Sequence, residues 1–196
     1  MRLLIMLVVA CAEMGLHPLA AVAHAQSVPQ CLAGFCLDAE KLPTEKEVRA
    51  RFGGSKQPAL LKDFAYCYRF ITPRPISYGH FMHRDFATGL RLAAIPLSKE
   101  PPCADAHAVR LKTPLSTKEG IRLNSHEAEV LKRYGQPRYA LRPPPVEVVR
   151  DFFGASSKTT IDVIDQYVSS DDKDPSVARF YVSQGQVVGV EVSADE

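Results

Sequence analysis

The chain of 196 residues has no tryptophan and no run of four or more basic residues. Its 24 Lys and Arg stand against 22 Asp and Glu, and the charges are scattered. A nucleic-acid binder needs a concentrated basic face, so that class is set aside. There is no G-x-S-x-G elbow, no H-E-x-x-H helix and no P-loop. Sequence grounds for an α/β-type serine hydrolase, a zincin or a nucleotide hydrolase are therefore missing. No apolar run reaches the roughly 20 residues of a membrane-spanning helix. What remains is a balance of 46% hydrophobic and 23% charged residues, which is that of a folded globular chain.

The N-terminus reads MRLLIMLVVACA, one Arg followed by a short apolar run, and Ala23-His24-Ala25 lies beyond it. A basic start, a short apolar core and an A-x-A site form a secretory signal. Residues 1–25 are expected to be removed, giving a periplasmic or secreted protein. A rival reading takes Val8-Val9-Ala10-Cys11 as a lipoprotein box with Cys11 acylated. Beyond residue 25 the cysteines are Cys31, Cys36, Cys67 and Cys103. An even number in an exported chain points to disulfides. Four cysteines allow three connectivities; the expected one is Cys31–Cys36 with Cys67–Cys103, a local pair and a staple between strands. Their spacings match no common zinc pattern.

Two stretches end alike: LPTEKEVRARFGGS from residue 42 and LNSHEAEVLKRYGQP from residue 123. Aligned on Gly53 and Gly135, they match Glu45 with Glu127, Glu47 with Glu129, Val48 with Val130, Arg51 with Arg133 and Phe52 with Tyr134. Each reads as a short helix. Thr44 and Glu47 form a capping box, and Asn124 or Ser125 is expected to cap the second copy. The glycines close both helices in a left-handed turn, and Pro137 prevents continuation of the second. Pieces this short are marginal in water, so each must pack on something larger.

The something larger is sheet. Residues 59–71, 89–97 and 107–113 read as strands, and 76–85 as a weaker one. After the second helix, Pro143, Pro144 and Pro145 make a stiff connector. Residues 146–153 then fit a helix with Val146, Val149 and Phe153 on one face, ending at Gly154. Residues 159–168 alternate as a strand. Residues 178–182 and 186–192 flank Gln184-Gly185 as a hairpin. The expected fold class is α+β: two tandem helix-plus-antiparallel-meander repeats, residues 26–115 and 116–196, with the helices packed on the sheet. A unit of half this length barely supports a core alone, and two docked copies do better.

The stretch GIRLNSHEAEVLKRYGQP and the final hairpin RFYVSQGQVVGVEV resemble a module of exported bacterial proteins. It occurs in outer-membrane assembly lipoproteins of the SmpA/OmlA type and, in tandem, in secreted β-lactamase-inhibitor proteins. The likeness spans most of the second half and is weaker in the first. It implies the same α+β fold and a protein-binding role; its motif caps and stops a helix and carries no chemistry. Asn124 departs from the glycine usual there.

Three constellations could carry function. In GHFMHRD, His80, His83 and Asp85 are candidate metal ligands, although positions three apart on a strand face opposite ways. His126 beside Glu127 and Glu129 could be pictured as a general base, and the acidic stretch 171–174 lacks the closing Glu of a calcium loop; both read better as solvated residues. Tyr66, Tyr68, Phe70 and Tyr78 offer aromatic contacts for a partner. The functional expectation is a non-enzymatic, cofactor-free module that binds an envelope or secreted protein. The alternatives are a metal-dependent hydrolase at His80, His83 and Asp85, and a small-ligand carrier.

Overall fold

The computed structural model describes residues 28–37, 43–53, 64–72, 76–84, 87–94, 107–154, 158–169 and 176–195. The proposed signal, Cys11, Asp85, Cys103 and the acidic stretch 171–174 lie outside them. Among the described residues are three helices, a two-stranded hairpin and an eight-stranded sheet, so the chain is α+β.

The hairpin pairs β1 (Cys31–Leu32) with β2 (Phe35–Cys36), and a disulfide joins Cys31 to Cys36. Cys67 is also disulfide-bonded. Helix α1 (Glu45–Phe52) starts as expected: Thr44 Oγ1 accepts from the Glu47 N–H at 3.3 Å, and Glu47 Oε2 accepts from the Thr44 N–H at 2.9 Å. Helix α2 (Glu127–Tyr134) does not start as expected. Its N-cap is His126, with no side-chain cap. Asn124 instead takes a left-handed φ of 68°, a conformation asparagine tolerates where glycine is otherwise used. Its N–H donates to Val187 O, and the Glu127 N–H donates to Gly185 O. Backbone from the final hairpin thus satisfies what a cap would have satisfied. Helix α3 (Val146–Phe153) follows the prolines. All three helices close on a glycine at positive φ, Gly53, Gly135 and Gly154.

The first meander is β3 (Phe64–Ile71), β4 (Ser77–Arg84) and β5 (Ala87–Ala93). β6 (His107–Arg110) adds to β3 in parallel, where antiparallel pairing was expected. β4, the strand with the weakest pattern, is fully formed between β3 and β5. β7 (Tyr139–Leu141) was not foreseen; it forms an edge on β8 (Val163–Val168). β9 (Ser176–Ser183) and β10 (Gln186–Asp195) make the expected hairpin, with Gln184 and Gly185 both at positive φ, as a type I′ turn requires. The order is β6-β3-β4-β5-β10-β9-β8-β7. The two meanders therefore meet through their last strands, in an antiparallel register centred on Glu191↔Arg91.

One face of this sheet carries the main core. Tyr66, Tyr68, Phe70, Phe81, Leu90 and Leu92 continue into Val190, Val192, Phe180, Val163 and Tyr167. Val48 and Phe52 of α1, and Val130 and Tyr134 of α2, close it from above. The Tyr68 hydroxyl donates to Gly53 O at 3.0 Å, and the Tyr167 hydroxyl donates to Gly135 O at 3.0 Å. Each tyrosine also packs on the helix's last aromatic: Phe52 and Tyr68 at 5.4 Å, Tyr134 and Tyr167 at 5.6 Å. Burial pushes the Tyr68 phenol up to about 12, against the pull of Arg49.

Candidate functional site

The second face of the sheet is covered differently. Helix α3 sets Phe152 and Phe153 against Tyr181, Ile164 and Ala93. Val146, expected on the buried side, is 59% exposed instead; the adjacent pair Phe152 and Phe153 sets which side faces the sheet. Gly189 makes the close approach possible. A Cβ there would stand 2.7 Å from the Phe152 ring and 3.0 Å from that of Phe153.

Beside α3 runs a transverse row of side chains, one from each of six strands by register. Tyr139 pairs with Gln166, Gln166 with Arg179, Arg179 with Glu191, Glu191 with Arg91, and Arg91 with His80. Glu191 is buried at the centre. Its Oε1 accepts from Arg91 Nε at 2.8 Å; its Oε2 accepts from Arg179 Nη1 and the Tyr181 hydroxyl, both at 3.0 Å. Arg91 also reaches Asp151 Oδ2 at 2.6 Å and lies over the Phe152 ring at 5.5 Å. Burial works against the Arg91 cation, but Glu191 and Asp151 overcome it and raise its pKa. The Tyr181 phenol is pushed up by burial and further by Glu191.

The row opens toward β7. Arg179, whose Nε donates to Gln166 Oε1 at 3.1 Å, keeps 28% of its side chain exposed. Gln166, Val168, Val177 and Ser193 are half-buried, and Tyr139 is 48% exposed at the sheet edge. Arg179, held by Glu191 and Gln166, and the exposed Tyr139 thus stand in one row of the sheet.

The residues expected to make that surface lie elsewhere. Tyr66, Tyr68 and Phe70 are 0% exposed; their rings fill the main core because strand alternation turns all three toward α1. Tyr78 is half-buried and packs against the α3 cluster. His80 and His83 both lie in β4, and His80 is buried on the Arg91 side. No group of three His, Cys, Asp or Glu able to hold a metal forms among the described residues. His126 is exposed. The Arg91, Arg179 and Glu191 cluster escaped the reading, yet it left a signal. Each is a lone charge inside an apolar β-rich run, and a charge placed there must find a partner.

No protein family, characterised protein or solved structure matches the chain.

Proposed function

We propose that the chain is an exported cell-envelope protein that binds another protein and performs no chemistry of its own, built as two tandem repeats of the kind found in SmpA/OmlA-type and β-lactamase-inhibitor proteins. The observation that carries the binding role is the open part of the second face, where Arg179 is held by Glu191 and Gln166 beside half-exposed Val168 and Val177 and exposed Tyr139. Arginine and tyrosine are enriched among the residues that carry binding energy at protein interfaces, and an arginine already held by two partners has less freedom left to lose. The disulfide at Cys31–Cys36 supports an oxidising compartment. Among the described residues no helix is long and apolar enough to cross a membrane.

The repeat reading is supported by the tyrosine-to-glycine hydrogen bonds, which recur at Tyr68–Gly53 and Tyr167–Gly135. It is supported as well by the registers: Tyr66↔Phe81↔Leu90 in one meander matches Asp165↔Phe180↔Val190 in the other. Superposing these rows brings Arg91 onto Glu191.

The test is crosslinking of the tagged protein in its native cells, followed by mass spectrometry, with Arg179→Glu and Tyr139→Ala run in parallel. One envelope protein recovered from the parent and lost from both variants is the expected result. Recovery of background alone, or of a partner indifferent to both substitutions, would overturn the assignment of this face.

A further inference from the structure

A second feature lies on the main-core side of the sheet, where the disulfide hairpin meets the end of α1. The hairpin turn, Ala33 at φ 56° and Gly34 at φ 80°, is tied to the chain ahead of α2: the Ala33 N–H donates to Ser116 O at 3.0 Å, and Leu32 bridges Thr117. Between them is a cleft of about 350 Å³, whose polar side chains come from Arg51, Thr113, Ser116, Thr117 and Lys118. Among the described residues no Asp or Glu lines it.

Arg51 lies in this cleft as an exposed side chain resting against two aromatic rings. Its guanidinium lies over the Phe35 ring at 5.4 Å and the Phe52 ring at 5.7 Å. Gly34 completes the seat: a Cβ there would come within 2.4 Å of Arg51 Nη2 and 2.7 Å of Cζ. The glycine thus serves two ends, the left-handed turn and the close approach. Among the described residues no carboxylate pairs with Arg51 or with Lys118. Glu47, one turn before Arg51 on α1, accepts from both the Thr44 N–H and hydroxyl. Among the described residues, two cations therefore line one cleft with no carboxylate paired to either, and the planar one rests against two rings. A guanidinium fork matches the two oxygens of a carboxylate or a phosphate.

We propose that this cleft is an anion-binding site for a carboxylate or phosphate group, with Arg51 supplying the bidentate contact, Lys118 the second charge, and the Thr113 and Ser116 hydroxyls the remaining donors. The proposal stands apart from the sheet-face reading and shares no residue with it.

The experiment is an NMR titration of the folded, oxidised chain, following the Arg51 side-chain Nε–H and the backbone amides of residues 113–118. Inorganic phosphate and succinate are added in separate arms at constant ionic strength, with chloride as the reference. A saturable shift in either arm is expected, and the arm that saturates identifies the group. Arg51→Gln should weaken the apparent affinity by about tenfold, the worth of a charge-assisted pair, with an unchanged circular dichroism spectrum. Lys118→Gln, on an exposed loop residue, should weaken it several-fold and guards against a folding defect in the first variant. A drift in both arms no different from chloride would overturn the proposal. So would saturation that survives both substitutions unchanged.

Discussion

Asp165 carries a carboxylate into the core at 1% exposure, and neither of its oxygens has a hydrogen-bond partner. Burial raises its pKa to about 6; Glu127 adds to the rise and Arg142, which pairs with Glu127, opposes it. The folded state thus holds the proton more tightly than the unfolded chain. Below pH 4 both states are protonated and the residue is neutral in its effect. As pH climbs through 4 to 6 the unfolded state alone gives up its proton, and folding loses stability, on the order of 2 to 3 kcal/mol for a two-unit shift. Asp165→Asn is therefore expected to raise the melting temperature at pH 8 and to leave it nearly unchanged at pH 4, as thermal unfolding at the two pH values would show. Glu191 is the opposite kind of buried charge, because three donors satisfy it. Glu191→Ala should cost about 3 kcal/mol in denaturant unfolding, the loss that follows from stranding buried cationic partners. Glu191→Met combined with Arg91→Met should cost less than the single change. At this scale the sequence was legible where a residue acts on its own backbone, as in the Thr44–Glu47 box. It was not legible where the partner lies a hundred positions away, as between Arg91 and Glu191.

Helices reveal their ends in sequence more readily than their faces. The stops at Gly53, Gly135 and Gly154 follow from local chemistry, since only a residue free of Cβ crowding takes those positive φ angles readily. The start of α2 was misjudged because its capping groups are main-chain carbonyls, Gly185 O and His126 O, and carbonyls leave no mark on residue type. In α3 the expected face held for Val149 and Phe153 and failed at Val146, which is exposed. Its pattern offers Val146 as readily as Phe152, and the close approach of Phe152 is allowed by a glycine more than thirty residues downstream. Gly189→Ala should push α3 away from the sheet and cost about 1 to 3 kcal/mol, the usual effect of overfilling a packed contact. Loss of near-ultraviolet dichroism from the stacked Phe152 and Tyr181 rings, 4.0 Å apart, would mark the cause. β7 escaped notice because three residues beside prolines carry no periodicity.

For the whole molecule, the meanders were readable strand by strand, but their union in one sheet was not. Nothing local in Ala87–Ala93 or Gln186–Asp195 says that these strands pair with each other. If the halves are repeats, equal substitutions should have equal effects. Tyr68→Phe and Tyr167→Phe each remove one hydroxyl-to-carbonyl hydrogen bond, and each should cost about 1 kcal/mol. The double variant should cost their sum, since the two sites are far apart. Unequal losses in chemical denaturation would count against the repeat. The position of β10 has a further consequence, for assembly. The last described strand to leave the ribosome is inserted between β5 and β9, where it must pair on both sides. Until it arrives, each meander presents a bare hydrogen-bonding edge, a ready template for misassociation. Closure of this sheet is thus gated by β10: a nascent chain stopped short of Gln186 holds two incomplete sheets, and no earlier described strand joins them.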